Sequence, residues 1–323
     1  SKAIGDGLEW LSKHQAVQGY WDVDEFWVTD PKYAGVTLEQ ITKKDEDKLF
    51  QDDKPQPGIG KTGPGMDLPA TGLALMAFCG NGYTHRQGKY RKTVQAATDW
   101  MLTKQNEKTG AFSNNMYIHA ICTHALVELW GTTRDLELKP AAQKAVDFLC
   151  WAQTPRAGWR YSPRSPTTDS SVTSWCSMAL QTSYRAGLEV PAQNLIWCRQ
   201  FWDKVTVYSG GEGGKEFGQA FYELKETGEH GGSGSTANTA ASILCRIFMG
   251  TLHRARSVKA GAASLDDVQV HAMAPDIYMW FYATQGLFQM GGSQWDRWEK
   301  EVMPAVLKMQ EQPDRRRRAT GEE

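Results

Sequence analysis

Polar and aromatic side chains stand at the starts of several apolar segments, and their types could do chemistry. The titratable members are Asp67, His119, Asp169, His230 and Asp276, and the aromatic members are Tyr117, Trp175, Tyr278 and Tyr282. Aspartate and histidine are frequent proton donors and acceptors in enzymes, and aromatic rings can stabilise a cation or stack on a flat ligand. The candidate catalytic residues are therefore Asp169, His119, His230 and Asp276, and the candidate ligand contacts are Tyr117, Trp175, Tyr278, Tyr282 and Asp67. Helix capping is the competing interpretation of each aspartate, because aspartate is a favoured N-cap.

The sequence offers weak signals for a metal or an anion. His119 and Cys122 are spaced to share one helical face near His124, an arrangement that could begin a zinc site, although packing in the core is the favoured interpretation. The segment "HGGSGSTANT" leads from glycines into a helix start, where free amides could hold an anion. It lacks the lysine of a P-loop. We therefore predict no metal and no cofactor.

A short recurring motif predicts the elements that position these groups. It reads "WLSKHQAVQGYW", "WMLTKQNEKTGAF" and "FLCWAQTPRAGW", with Gln15 and Gly19, Gln105 and Gly110, and Gln153 and Gly158 at corresponding places. The glycine permits the left-handed turn that ends a helix, and the aromatic residue after it folds back. The glutamine is placed to bond exposed peptide groups near a helix terminus of the adjacent repeat. The motif thus predicts a staple between helix pairs.

Two kinds of apolar segment alternate along the chain. Segments such as "YIHAICTHALVELWG", "TANTAASILCRIFMG" and "IYMWFYATQGLFQMGG" are apolar nearly all round, whereas "YRKTVQAATDWMLTKQ" and "AAQKAVDFLCWAQ" are apolar on one face. A helix that is apolar all round must be buried on every side, and a one-faced helix lies outside it. We therefore predict an all-α fold, an α/α toroid of two concentric layers and about eleven helices, in a single domain over residues 1–311. An open solenoid is the alternative.

Three segments fall outside this pattern. Residues 22–68 and 206–235 are rich in charge, glycine and proline, and we expect both to be long loops. Residues 312–323 form a basic tail that is expected to be disordered. Its run Arg315–Arg318 could contact an anionic surface.

Overall composition excludes few functions. The formal net charge of -1 gives no general reason to expect nucleic acid as a partner. No apolar run is long enough for a transmembrane helix. The six cysteines lie in apolar stretches and are expected to be buried thiols, which favours a cytoplasmic location. Because the chain begins "SKAIGD", an exported protein whose leader has been removed is the open alternative.

The glutamine–aromatic repeats and alternating helices resemble the prenyltransferase and squalene-cyclase repeat superfamily, and most closely its bacterial prenyltransferase/squalene oxidase repeat proteins. The segments "ATGLALMAFCGNGYTHRQGKYRKTVQAATDWMLTKQ" and "AVDFLCWAQTPRAGWRYSPRSPTTDSSVTSWCSMALQ" carry the resemblance. It implies a terpenoid-cyclase-like α/α toroid. The family's chemistries are poorly matched, because its D-x-D-D motif is reduced to Asp169 at the corresponding inner-helix position, with Asp22-Val-Asp24-Glu25 elsewhere. The D-x-C zinc pair and the G-C-G-E-Q thioester motif are absent.

A strong fold signal without catalytic motifs predicts a binding or scaffold module for a hydrophobic or extended ligand. One alternative is an isoprenoid cyclase or prenyltransferase-type enzyme with Asp169 as the acid. Another is a polysaccharide lyase or hydrolase with paired carboxylates at the rim. An enzyme requires several of the candidate polar groups to face one cavity, whereas a scaffold leaves them capping their own helices.

Overall fold

The computed structural model describes residues 2–23, 65–211 and 214–310. Its helices are α1 (Lys2–Lys13), α2 (Asp67–Gly80), α3 (Arg91–Leu102), α4 (Met116–Thr133), α5 (Lys139–Ala152), α6 (Ser170–Arg185), α7 (Ala192–Val205), α8 (Thr236–Phe248), α9 (Arg256–Ala263), α10 (Ile277–Met290) and α11 (Gly292–Met309). Its strands are β1 (Thr168–Asp169), β2 (Thr206–Gly210), β3 (Glu216–Leu224) and β4 (His230–Gly234). These parts of the chain therefore contain the predicted number of helices.

The described residues divide into two compact units. The first unit lies within residues 1–149 and 182–189, and the second lies within 150–181 and 190–323. The prediction of a single domain over 1–311 stays a prediction. Most of the predicted loop at 22–68, the basic tail and its Arg315–Arg318 run lie outside the described residues.

In the first unit, a helix buried on all sides neighbours helices that are buried on one face. Residues 119–127 of α4 are all buried. Helix α2 packs against α4 at Gly72, where an added Cβ would lie 3.0 Å from Ile121 Cγ2. Helices α3 and α5 each bury one stripe, which includes Val94, Ala97 and Met101 in α3 and Ala142, Ala145 and Leu149 in α5. The predicted distinction between the two kinds of helix is confirmed for these elements.

In the second unit, α8 is deeply buried, since residues 238–247 are all buried. Helices α9 and α10 approach it closely at Gly261 and Gly286, and both glycines face Ile243. Helix α10 departs from the expectation of burial on every side. Its Phe281 and Phe288 are 39% and 59% exposed, whereas Met279, Trp280, Tyr282 and Leu287 of the same helix are buried.

The expectation of a loop at 206–235 is wrong. Strands β2, β3 and β4 form antiparallel pairs there, with Tyr208 opposite Gly218 and Leu224 opposite His230. Strand β3 packs on α8 and α9, and its Ala220 N–H bonds Thr239 Oγ1 at 3.1 Å. The glycine-rich composition is typical of a loop, but pairing between separate segments and packing on two helices make it a sheet.

The predicted staple is confirmed, and Gln105 shows its geometry. The Gln105 side-chain amide donates to the carbonyl oxygens of Gly110 and Ala141, both at 2.9 Å. Ala141 is the third residue of α5, so one amide joins the turn after α3 to the first turn of the next one-faced helix. Gly110 has a φ of 77°, and an added Cβ would overlap the carbonyl oxygen of Lys144. Glycine is therefore required both by backbone conformation and by close approach.

The other two motifs repeat this bonding. Gln15 donates to Gly19 O and Thr93 O, both at 2.8 Å, and Gln153 donates to Ala157 O at 3.1 Å and Asn194 O at 3.2 Å. Thr93 and Asn194 are the third residues of α3 and α7, so the acceptor occupies the same helix position in all three motifs.

The cysteines are all free thiols, and five of them are buried, whereas Cys150 is half-buried. No helix in the described part of the chain is long and apolar enough to cross a membrane.

Candidate active site

His119 occupies a fully buried position in α4. Its Nδ1 accepts the backbone N–H of Phe112 at 3.2 Å, and its Nε2 lies 3.0 Å from the carbonyl oxygen of Ala145. This pattern fits the neutral tautomer with the proton on Nε2. Burial lowers the pKa of His119 to about 4, because desolvation disfavours the charged ring. Both ring nitrogens are thus engaged by the backbone.

In each of the other two repeats, a threonine occupies the position that corresponds to His119. Thr71 Oγ1 accepts the backbone N–H of Trp21 at 3.1 Å, and Thr173 Oγ1 accepts that of Trp159 at 2.9 Å. In each repeat, a polar residue in the first turns of the following helix therefore anchors the closing aromatic residue. This equivalence favours a structural role for His119, while its proposed catalytic role stays a prediction.

The other candidates of the first unit lie at helix starts. Asp67 is the first residue of α2, and its Oδ1 accepts the backbone N–H of Val23 at 3.1 Å. Tyr117 lies in the first turn of α4, where its backbone N–H bonds the side chain of the N-cap Asn115 at 3.0 Å. Cys122 is buried with Sγ facing Leu68 O at 3.7 Å, and burial raises its thiol pKa. These contacts fit the packing interpretation of the His119, Cys122 and His124 cluster.

Two candidates of the second unit lie at exposed positions. Asp276 is the N-cap of α10, and its Oδ1 accepts the backbone N–H of Met279 at 2.9 Å. His230 begins β4, with its ring centroid 4.3 Å from that of Phe221. Asp276 thus has the capping role that competed with a catalytic one, and His230 covers an aromatic ring of the sheet.

Asp169 caps α6 with one oxygen of its carboxyl group, and the other oxygen is buried. It ends β1 directly before α6, and its Oδ1 accepts from Ser171 Oγ at 2.7 Å and from Val172 N at 2.9 Å. Its Oδ2 is buried and has no hydrogen-bond partner among the described residues. Burial raises the pKa of Asp169, although these hydrogen bonds and the charge of Arg160 oppose the shift. The site therefore favours the protonated carboxyl group more than water does.

A second carboxylate lies directly opposite. Asp169 pairs with Glu223 in the antiparallel ladder between β1 and β3, and such partners have Cβ atoms about 4.5–5.5 Å apart. Glu223 forms an ion pair with Arg160, which also donates to Thr167 Oγ1 at 2.8 Å. Asp169 is thus buried with no ion pair to any residue that the structure describes, and the Glu223 carboxylate is held by the Arg160 guanidinium. Such contrasting environments separate the protonation states of two acids.

Two tyrosines complete this group of residues. Burial raises the pKa of Tyr222 to about 12, with smaller contributions from a hydrogen bond to Tyr161 and from the charge of Asp169. Tyr161 is 47% exposed. We call these residues the Asp169 cluster, and its members are Asp169, Glu223, Arg160, Tyr222 and Tyr161. Sequence reasoning identified only Asp169, because the strand pairing that joins it to Glu223 has no local signal.

Aromatic rings of α6 and α10 lie beside the start of α6. Trp175 stacks on Phe281 with ring centroids 5.4 Å apart, and Tyr278 meets Tyr282 edge-on at 5.0 Å. Tyr282 is buried, with its hydroxyl 2.7 Å from Ser174 Oγ. Trp175 is also buried, whereas Tyr278 is half-buried and Phe281 more exposed. Tyr278 and Phe281 are thus the rings of this set that a ligand can reach.

No group of three or more His, Cys, Asp and Glu side chains in the described parts of the chain could hold a metal ion. The Asp169 cluster offers carboxyl, guanidinium and phenol groups.

The alternation of fully buried and one-faced helices defines the class of fold, and comparison with known proteins agrees. No family model matches the sequence, and no curated protein matches it. Among solved structures, the chain is similar to an inactive variant of an α-1,6-mannanase, GH76A of Salegentibacter sp. HEL1_6, in complex with α-1,6-mannotetrose. The TM-score is 0.56 at 10% identity, over 95% of this chain and 85% of that one. This likeness shows the predicted all-α fold, the α/α toroid.

Proposed function

We propose that the protein is a glycoside hydrolase that cleaves an extended polysaccharide at the Asp169 cluster. The observation that carries the proposal is the cross-strand pairing of Asp169 with Glu223. It replaces the binding or scaffold module that the sequence favoured with the hydrolase that was its alternative.

The two carboxyl groups suit the two roles that glycoside hydrolysis requires. One group must donate a proton to the leaving oxygen, and the other must act in its ionised form. The raised pKa of Asp169 fits the acid, and the ion pair with Arg160 fits an ionised Glu223. The ionised group can either attack the sugar directly or activate a water molecule, and both routes need the two carboxyl groups at one site.

The surroundings of the pair fit a carbohydrate ligand. Tyr161, Tyr278 and Phe281 offer rings that can stack on sugar faces, and Arg160 offers hydrogen-bond donors. The structurally similar mannanase holds an oligosaccharide, which supports an extended ligand for this fold. Because Asp169 is fully buried, the proposal requires sugar binding to displace the side chains that cover it.

The test is a screen of polysaccharides, including α-1,6-mannan, for release of reducing ends. Glu223→Gln is expected to lower the rate about 10²–10⁴-fold while oligosaccharide binding persists, since the substitution removes a charge from the chemical step. Glu226→Gln changes an exposed carboxylate in the neighbouring β3–β4 turn and is the matched control. The proposal fails if Glu223→Gln cleaves as fast as the unaltered protein, or if no polysaccharide is cleaved.

A non-catalytic carbohydrate-binding module is the second candidate, because Asp169 is buried and caps its own helix. Oligosaccharide binding without any cleavage by the unaltered protein would identify it. Membership of the prenyltransferase and squalene-cyclase superfamily, and an isoprenoid cyclase with Asp169 as its acid, stay predictions that rest on the repeats.

A further inference from the structure

A cavity of about 370 Å³ lies in the first unit, where α2, α4 and α6 end. Its polar lining residues are Glu128, Thr132, Arg134, Thr182 and Arg185. The volume falls within the range of about 300–1,000 Å³ that small-molecule pockets occupy. None of these residues belongs to the Asp169 cluster.

Contacts on the protein fix one guanidinium at this cavity. Arg134 lies just after α4 in the left-handed region, with a φ of 54°. Its Nη1 donates to the carbonyl oxygen of Ala186, and its guanidinium carbon lies 5.3 Å from the ring centroid of Trp130. No carboxylate pairs with Arg134 among the described residues. Its guanidinium is therefore held in place by a carbonyl oxygen and an aromatic ring, and no carboxylate of the described ranges neutralises it.

A buried histidine contacts two other polar groups of the lining. His124 Nε2 lies 3.3 Å from Glu128 Oε1 and 3.2 Å from Thr182 Oγ1, and both partners line the cavity. His124 Nδ1 is buried and has no hydrogen-bond partner within the described ranges. The histidine thus holds a carboxylate and a hydroxyl group in fixed positions at the wall.

Small residues keep the space between these groups open. Gly80 and Gly131 both line the cavity, and a Cβ added to Gly80 would meet no atom within 4 Å. Gly80 ends α2 without a positive φ. A larger side chain can therefore be placed there without backbone strain, which makes Gly80 a suitable position from which to block the cavity.

We propose that this cavity binds a small hydroxylated carboxylate, such as a sugar acid. The guanidinium of Arg134 offers the paired N–H donors that recognise a carboxylate, and Arg185 lines the same cavity. Glu128 accepts hydrogen bonds from ligand hydroxyl groups, and the threonines serve as donors or acceptors. This end of the first unit would thus have a binding role. That role does not depend on the proposed hydrolysis.

Calorimetric titration with D-glucuronate tests the proposal, and D-glucose is the matched neutral probe. Glucuronate is expected to bind saturably, and glucose about tenfold more weakly or worse, because it lacks the charged hydrogen bonds. Gly80→Leu and Arg134→Asn should each weaken glucuronate binding about tenfold or more. Asparagine tolerates the left-handed conformation at position 134.

Two controls locate the binding. Gly5→Leu places the same side chain at a helical glycine of α1 with open space around it and should leave glucuronate binding unchanged. Glu223→Gln should also leave it unchanged, which separates this cavity from the Asp169 cluster. The proposal is overturned if glucuronate does not bind saturably, if glucose binds equally well, if Gly80→Leu has no effect, or if Glu223→Gln abolishes binding.

Discussion

Phe112 donates its backbone N–H to Nδ1 of His119 at 3.2 Å. Corresponding threonine hydroxyls accept the N–H of Trp21 and Trp159 in the other two repeats. A histidine that sequence reasoning selected for its chemistry thus performs the same bonding as two threonines. It can do so only as a neutral ring, and this condition makes its contribution to stability depend on pH.

Acidification should destabilise the protein through His119. Its pKa is about 4 in the folded chain, against about 6.5 when unfolded, so the unfolded state binds the extra proton between these values. The contribution is fully present above pH 6.5 and is lost as the pH falls towards 4, to a total of about 3 kcal/mol. Denaturant unfolding across this range should show a shallower pH dependence for His119→Thr than for the unaltered protein. Parallel curves would refute the assignment.

Removal of a staple should destabilise the fold. Gln105→Ala deletes two hydrogen bonds that join the turn after α3 to α5, and we expect the free energy of unfolding to fall by about 2 kcal/mol. Gln95→Ala is the matched control, because the Gln95 side chain makes an exposed bond to Asp99 within α3. Chemical denaturation measures both variants. If both variants lose the same free energy of unfolding, the hydrogen bond between the helices contributes no more to stability than an exposed bond within one helix.

The glycine of the staple can be tested separately for backbone strain and for close approach. Gly110 and Gly82 have nearly equal φ values of 77° and 79°. An added Cβ overlaps the backbone of Lys144 at Gly110 but meets nothing at Gly82. Gly82→Ala should cost about 1–2 kcal/mol from conformation alone, and Gly110→Ala should cost clearly more in the same thermal unfolding experiment. If the two variants have equal stability, the close approach of Lys144 is not the reason that position 110 requires glycine.

Asp169→Asn should separate stability from activity. Asparagine keeps an N-cap oxygen for Val172 and removes a carboxyl group whose pKa burial raises. Because the pKa of Asp169 is higher in the folded state, ionisation of Asp169 opposes folding once the pH rises above the pKa of the unfolded state. At neutral pH, the free energy of unfolding of the variant should therefore lie within about 1 kcal/mol of that of the unaltered protein, or above it. Polysaccharide hydrolysis should nevertheless be lost. A stable variant with full activity would remove Asp169 from the mechanism.

Much of the fold could be predicted because its signals are local. A helix that is buried on all sides needs apolar residues all round, and a staple needs a glutamine, a glycine and an aromatic residue within a few positions. The bonds of Gln15, Gln105 and Gln153 follow from that spacing. The free, mostly buried cysteines follow from their apolar neighbours.

The candidate site depended on pairings that no short segment encodes. The glycine-rich stretch at 206–235 becomes a sheet only because β3 pairs with β2 and β4 and packs on α8 and α9. The same strand brings Glu223 to Asp169, and Arg160 then joins them.

The sequence by itself thus determined the kinds of most helices, their number within the described ranges and the staples, since each depends on residues a few positions apart. The tertiary structure alone decided which carboxylates meet, that His119 is engaged by backbone groups, and that α10 leaves Phe281 exposed. The physical reason is that a side chain's protonation and contacts depend on neighbours from distant segments, whose arrival depends on the packing of the whole unit.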